Sequence, residues 1–311
     1  MIPRPYETLT AGAATLRFYL GDCVSLMPRL PEGAADVIVT SPPYNLGIRY
    51  RSYADALPRD RYLAWTADWI RAAARLLAPG GSLFLNVGAK PTDPWTAIDV
   101  ALAARPFLTL QNTLHWIKSI AIDRDAAGAN AGLARDLALG HYKPINSRRF
   151  VNDCHEFIFH FTHDGRVPID RLALGVPYQD RSNVTRWQSA ASGLRCRGNT
   201  WFMPYDTIQN RDKDRPHPAT FPPRLPEYCL RLHGLRRVRT VADPFLGLGS
   251  TAVACVRLGC HFIGVELDEG YLKEAIARTR EAIAEQARTQ DRPRRSRRTA
   301  AAGNLGQRRA G

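Results

Sequence analysis

Along the chain, short apolar runs alternate with longer stretches whose apolar residues recur every three or four positions. The run Val37–Thr40, closed by Ser41-Pro42-Pro43, predicts a buried strand. From Arg61 to Leu77 the spacing changes. Tyr62, Trp65, Trp69, Ala73, Leu76 and Leu77 fall on one face, which predicts an amphipathic helix with both tryptophans in the core, stopped by Pro79-Gly80-Gly81. Ser82–Val87 and Glu156–Phe161 are again short and apolar, as strands buried on both faces are. A strand over Val238–Ala242, a helix ending at Leu258 before Gly259, a strand over His261–Glu266 and a closing helix over Gly270–Ala287 complete the series. This alternation predicts an α/β fold: a mostly parallel, doubly wound sheet covered on both sides. Residues 119–150, rich in Gly and Ala, and 163–214, which mix Arg, Trp, Tyr, Asn and Gly, break the rhythm. Long irregular segments inside a compact domain are commonly functional.

Composition narrows the class. Of 311 residues 45% are hydrophobic and 23% charged, which excludes global disorder. No apolar run is long enough to cross a bilayer, and the N-terminus lacks a secretory pattern, so a soluble cytoplasmic protein without a membrane partner is expected. The six cysteines are scattered without a CxxC pair, which points to reduced thiols, with Cys255 and Cys260 as small buried residues. Cys154, His155, His160 and His163 suggest no metal, because His155 and His160 face opposite sides of a strand. Lys and Arg total 43 against 29 acids, a formal charge of +14 that favours a nucleic-acid partner. Residues 285–311 carry eight Arg against Glu285 and Asp291 and few large apolar groups, so a disordered basic tail is expected, either a tether to nucleic acid or an idle solvated end.

Two turns carry candidate chemistry. Asp243-Pro244-Phe245-Leu246-Gly247-Leu248-Gly249-Ser250-Thr251 joins a strand to a helix. Its glycines let a ligand approach the main chain, and Glu266, at the end of the next strand, is placed to hold both hydroxyls of a ribose. A third glycine of the pyrophosphate-binding pattern is missing, which favours a nucleoside cofactor without a diphosphate. The second turn is Ser41-Pro42-Pro43-Tyr44. Its prolines leave carbonyls free to face a ligand, Ser41 adds an acceptor, and Tyr44 adds an aromatic face. Such a set suits a planar ring that carries an exocyclic amine.

Together, Thr40–Asn45 and Asp243–Thr251 resemble the amino-methylating DNA methyltransferases that use S-adenosyl-L-methionine. The catalytic motif precedes the cofactor motif, as in the circularly permuted beta class of that family. The resemblance implies a Rossmann-like methyltransferase fold with a small target-recognition insert. Residues 1–162 would form the catalytic half, 163–214 the recognition region, 215–284 the cofactor-binding half and 285–311 the tail. It implies that Asp22 and Cys23 meet the cofactor's adenine, that His155–Phe159 line the target-base pocket, and that His217, Pro218 and Thr220 wrap the methionine end. Leu248 stands where the family more often has Ser.

The chemistry follows. Ser41 Oγ and the Pro42 carbonyl would accept the hydrogens of the exocyclic amine, and Tyr44 would stack on a flipped base. Carbon-5 methylation is excluded because no Pro-Cys nucleophile occurs. Ser at the first motif position resembles cytosine-N4 enzymes more than adenine-N6 enzymes, which remain the alternative. Double-stranded DNA is the expected partner. Candidate contacts are Lys143, Arg148 and Arg149, and, within the insert, Arg181, Arg186, Arg195 and Arg197 with Asn199. A cognate restriction endonuclease, a solitary role, and a monomer or homodimer are all compatible with the family. A protein-glutamine or RNA methyltransferase, with the opposite motif order, and a non-catalytic DNA-binding relative are the rivals.

Overall fold

In the computed structural model the described residues are 2–48, 51–53, 55–128, 131–140, 147–178, 192–204 and 220–291. Strands run in chain order as β1 (Glu7–Ala11), β2 (Ala14–Leu20), β3 (Ala35–Thr40), β4 (Leu77–Val87), β5 (Thr109–Ile117), β6 (Ile120–Ile122), β7 (Leu137–Leu139), β8 (His155–Thr162), β9 (Val176–Pro177), β10 (Leu194–Arg195), β11 (Thr200–Phe202), β12 (Thr240–Asp243) and β13 (His261–Glu266). Helices are α1 (Cys23–Leu26), α2 (Arg59–Leu76), α3 (Trp95–Ala104), α4 (Arg124–Ala127), α5 (Arg224–His233), α6 (Ser250–Leu258) and α7 (Glu269–Asp291).

Among the described residues one sheet dominates, in the order β1-β2-β13-β12-β3-β4-β8-β5-β11. From β2 to β4 the strands are parallel; β8 runs antiparallel to both neighbours, and β1 folds back on β2. Two cores flank the sheet. One packs α5, α6 and α7 against one face, the other packs α2 and α3 against the opposite face. The expected α/β architecture is therefore present.

Several elements differ from expectation for local reasons. Helix α2 passes into β4 with no intervening loop, since Leu77 already pairs with Ala35 and Ser82 next pairs with Val37. Pro79-Gly80-Gly81 forms a bulge inside the strand; a Cβ on Gly81 would lie 2.8 Å from the Leu77 side chain. Helix α7 continues to Asp291, seven residues into the segment expected to be disordered. Ala282 and Ile283 lean on the core, and Gln286 Nε2 donates to the Val256 carbonyl at 2.9 Å. Part of 163–214 also belongs to the body. Strand β11 pairs in parallel with β5, and Leu174, Trp201 and Met203 are buried in the first core.

A polar cluster sits inside the sheet. Ser82 Oγ lies 2.8 Å from His160 Nε2 and 2.9 Å from His233 Nδ1, while Asn112 meets His160 Nδ1 at 2.9 Å. Burial holds both histidines neutral, pushing His160 down to about 3 and His233 to about 4. His160 is thus a hydrogen-bonded core histidine, and its partner across Ser82, His233, is one that the sequence did not single out. Ser82→Ala strands two imidazole nitrogens, so urea denaturation at neutral pH should show a loss of about 1–3 kcal/mol.

Candidate active site

Strands β12 and β3 lie side by side and parallel, and the two motif turns follow directly from their carboxyl ends. The order in which strands are added reverses across this pair: β12 leads through α6 to β13 on one side, β3 through α2 to β4 on the other. In open parallel sheets the crevice at such a switch point is where ligands bind. Here the cleft spans about 1020 Å³, counting the open solvent at its mouth.

Most of the expected residues meet there. Asp22, Cys23, Ser41, Pro42, Pro43, Tyr44, Thr220, Pro244, Phe245, Gly247, Ser250 and Glu266 line the cleft, as does Leu248. Asp243, Gly249 and Thr251 stand behind it. Asp243 is 1% exposed and accepts from Thr40 Oγ1 and Thr251 Oγ1, both at 2.7 Å, and from the Phe245 amide at 3.1 Å. It fastens the end of β3 to the glycine loop and the start of α6. Burial pushes its carboxyl up to about 6 against those three bonds. Gly249 has φ 76° and nestles against α7, where an added Cβ would lie 3.1 Å from Ala275 Cβ.

The loop's other end is held by Glu266. Its Oε2 accepts from the Gly247 amide at 2.8 Å and its Oε1 from the Asp268 amide at 3.0 Å. Burial outweighs these bonds and pushes the carboxyl up to about 7. Each oxygen keeps a lone pair, so the group can still accept two hydroxyls. Asp22 caps α1, accepting from Val24 N at 3.3 Å and Ser25 N at 3.1 Å, while Cys23 is buried beside it.

The Ser-Pro-Pro-Tyr turn is more tightly wired than its sequence suggests. The Pro43 carbonyl is not free, because Tyr62 Oη donates to it at 3.0 Å. Tyr44, 8% exposed, has its hydroxyl 2.6 Å from Ser41 Oγ, 3.2 Å from Asn86 Oδ1 and 3.1 Å from Glu156 Oε2. Beyond the motif, Asn45 takes φ 59°. Asp55 holds the turn by accepting from the amides of Asn45, Leu46 and Ile48 at 2.8, 3.0 and 2.9 Å.

Sequence reasoning missed part of the wall. Trp69 is core, but Trp65 lines the cleft, 5.6 Å from the Phe245 ring in an edge arrangement. Ser52, Tyr53, Asp268 and Tyr271 also line it. Ser52 Oγ donates to Asp268 Oδ2 at 2.5 Å, and the Arg51 guanidinium lies 4.7 Å over the Tyr271 ring, so the loop after the motif is tied to the start of α7. The one available signal was helical spacing, which places Trp65 on the rim of the apolar stripe.

The DNA-contact candidates fare unevenly. Arg148, Arg149 and Arg195 are exposed. Arg197 donates through Nε to the Leu174 carbonyl at 3.0 Å, and Asn199 donates through Nδ2 to the Thr113 carbonyl at 3.0 Å, so both brace the body. Lys143, Arg181, Arg186, His217 and Pro218 lie outside the described residues, as do 292–311 of the tail. Among the described residues no cluster of His, Cys, Asp and Glu could hold a metal, and no helix is long and apolar enough to cross a membrane.

Fold and site define a class of α/β proteins in which a Ser-Pro-Pro-Tyr turn faces a glycine loop across a cleft at the ends of adjacent parallel strands. The N6/N4 DNA methylase family matches residues 35–277, and the chain belongs to that family. It is 25% identical to the Type II methyltransferase M.BglII of Bacillus subtilis, covering 82% of this chain and 66% of that protein. It is also 25% identical to M.ScaI of Streptomyces caespitosus, covering 88% and 82%. Among solved structures, the cytosine-N4-specific PvuII DNA methyltransferase superposes with TM-score 0.59 at 16% identity, over 91% of this chain and 94% of that one. A DNA modification methylase of Thermus thermophilus, complexed with S-adenosyl-L-methionine, gives TM-score 0.54 at 22% identity, over 86% and 94%. These likenesses bear out the Rossmann-like methyltransferase fold.

Proposed function

We propose that the protein moves a methyl group from S-adenosyl-L-methionine to the exocyclic amine of a base flipped out of duplex DNA, with cytosine N4 as the acceptor. One observation carries this reading: the Ser41–Tyr44 turn and the Asp243–Ser250 loop meet at one cleft, at the ends of adjacent strands. The residues present fit the cofactor. Glu266 keeps two lone pairs for ribose hydroxyls, Phe245 and Trp65 supply an apolar wall, and Asp22 and Cys23 border the same space. When bound, the cofactor would supply an electrophilic methyl, exchanging its carbon–sulfur bond for a bond to the amine nitrogen. The protein's part is placement. Ser41 Oγ and the Pro42 carbonyl accept the amine hydrogens and localise its lone pair, and Tyr44 supports the base. A nucleophile from the protein is not required.

Motif order supports assignment to the permuted beta class, and Ser41 supports cytosine N4, the specificity of the PvuII enzyme. Sequence reading is assigned to the exposed parts of 163–214, with Arg195, and to Arg148 and Arg149. The basic segment after Asp291 would add affinity through phosphates. A paired endonuclease fits the Type II relatives, and the site of action is then the DNA of the cytoplasm. Incubation with mixed-sequence duplex DNA and S-adenosyl-L-methionine, followed by digestion and mass detection, should yield N4-methylcytosine. N6-methyladenine would keep the reaction and change the base. Absence of both, in this reaction and in the source genome, would sink the proposal.

A further inference from the structure

The turn carrying Ser41 ends in a hydrogen-bonded chain that placing the base does not need. Ser41 Oγ and Tyr44 Oη lie 2.6 Å apart, and Tyr44 Oη lies 3.1 Å from Glu156 Oε2 and 3.2 Å from Asn86 Oδ1. Both outer partners accept only. The Asn86 amide nitrogen is committed to the Phe157 carbonyl at 3.0 Å, which fixes the orientation of its oxygen, and the other Glu156 oxygen takes a hydrogen from Lys118 Nζ at 3.0 Å. A phenol has one proton. With that proton directed at these acceptors, the 2.6 Å contact is left for Ser41 to donate. Ser41 Oγ then presents lone pairs to the cleft, the polarity an amine N–H requires.

We infer that Glu156, acting through Tyr44, sets this polarity and receives the proton that the target amine must lose; the inference rests on the amino-methyltransferase reading of the site. A newly methylated exocyclic nitrogen carries one hydrogen too many and a positive charge. It gives a proton to Ser41 Oγ as the Ser41 proton passes to the Tyr44 oxygen and the Tyr44 proton passes to Glu156 Oε2. Serine and tyrosine end neutral, as they began. The charge on nitrogen and the charge on the carboxylate disappear together. Glu156 is only 9% exposed, so its bonds act in a low-dielectric setting. Lys118 keeps its carboxylate anchored at the end of the chain. Glu156 is thus a positioning residue and proton acceptor that does not itself touch the base.

Glu156→Gln preserves size, yet its amide can donate to Tyr44 and reverse the chain. Single-turnover methylation of mixed-sequence duplex DNA should fall roughly 30-fold, below the full worth of a general base because the proton leaves late. The Kd for S-adenosyl-L-methionine by calorimetry and the Tm should stay at wild-type values. Glu156→Asp should recover part of the rate. Tyr44→Phe, which keeps the ring, should lose about as much as Glu156→Gln, and the double variant no more than either, because both break one chain. A wild-type rate in Glu156→Gln, or full additivity in the double variant, overturns the inference. So does a parallel loss of cofactor affinity or stability, which would make Glu156 a structural partner of Lys118. Wild-type protein that methylates no DNA at all would instead strike the parent reading, and the inference with it.

Discussion

Asp243→Ala is expected to lower the free energy of unfolding by about 3 kcal/mol and to weaken S-adenosyl-L-methionine binding by at least roughly 100-fold. The carboxylate is wholly buried and is the common acceptor for Thr40, Thr251 and the Phe245 amide. Alanine strands the buried Thr40 hydroxyl and the part-buried Phe245 amide and leaves Thr251 Oγ1 only a 3.5 Å contact to the Val39 carbonyl, and each donor stranded in the interior costs about 1–3 kcal/mol. Relief of the desolvation that raises the Asp243 carboxyl to about 6 returns part of this sum, so the net loss falls below the total. The binding loss has a separate cause: with the tie gone, the glycine loop is held to the end of β3 only by strand pairing and the long Thr251–Val39 contact, and its main chain is no longer fixed for the cofactor. Asp243→Asn keeps an acceptor for the Phe245 amide and for one threonine, while the other threonine turns to accept from the new amide. Its stability loss should be near 1 kcal/mol, with most affinity retained. Urea denaturation and calorimetry separate the two effects. Lowered stability with wild-type cofactor affinity would reduce Asp243 to a core residue.

The parts of this fold that could be read from the chain are those whose burial is local. Val37–Thr40, His261–Glu266 and the stripe of α2 are buried by their own spacing, and each forms where expected. The parts that could not be read depend on distant partners. Thr200–Phe202 looks like irregular loop, since three residues between Arg197 and Pro204 carry no period. It is a strand because β5 offers an open edge and Trp201 a place in the core. The bulge at Pro79–Gly81 reads as a stop because proline and glycine usually punctuate. Only the pairing of Leu77 with Ala35 reveals that the strand has already begun. The four residues by which α7 outruns the expected end at Ala287 were masked by the Arg-rich composition of the tail, although Gln286, just before them, finds a carbonyl on α6.

The site divides the same way. Motif chemistry located the cleft, because Gly247, Glu266, Ser41 and Tyr44 are chemically unusual for their positions. It did not reveal which motif residues face a ligand and which hold the frame. Asp243 and Thr251 sit in the motif yet bond to each other, and the Pro43 carbonyl is taken by Tyr62 from a helix nineteen residues on. Asn86, Lys118 and Glu156 come from three different strands or their ends, and no spacing rule links them. Their convergence on Tyr44 is a product of sheet order alone.

Cofactor binding should be strongly pH-dependent, with affinity about 100-fold higher at pH 8 than at pH 5. The reason lies in Glu266. Its carboxyl is raised to about 7 by burial, above its unfolded value of 4.5, so the folded protein holds this proton more tightly than the unfolded chain does. Burial of the charge therefore destabilises the free protein above about pH 7, and that penalty fades as pH falls through 7 toward 4.5. Two ribose hydroxyls need the ionised form as acceptor, since the acid form spends one oxygen on its own proton. Binding near neutral pH must then expel a proton. Titration calorimetry in two buffers of different ionisation enthalpy measures that proton directly, and Glu266→Gln should abolish its release while weakening the affinity at pH 8. His160 and His233 do not obscure the result, although they act in the opposite sense. Their lowered values make the fold lose stability as pH falls below 6.5, equally with and without cofactor, because neither is among the residues that line the cleft. An affinity that stays flat from pH 5 to pH 8 would mean that the cofactor is held without the Glu266 carboxylate, and the ribose assignment would have to pass to Asp268 on the same rim.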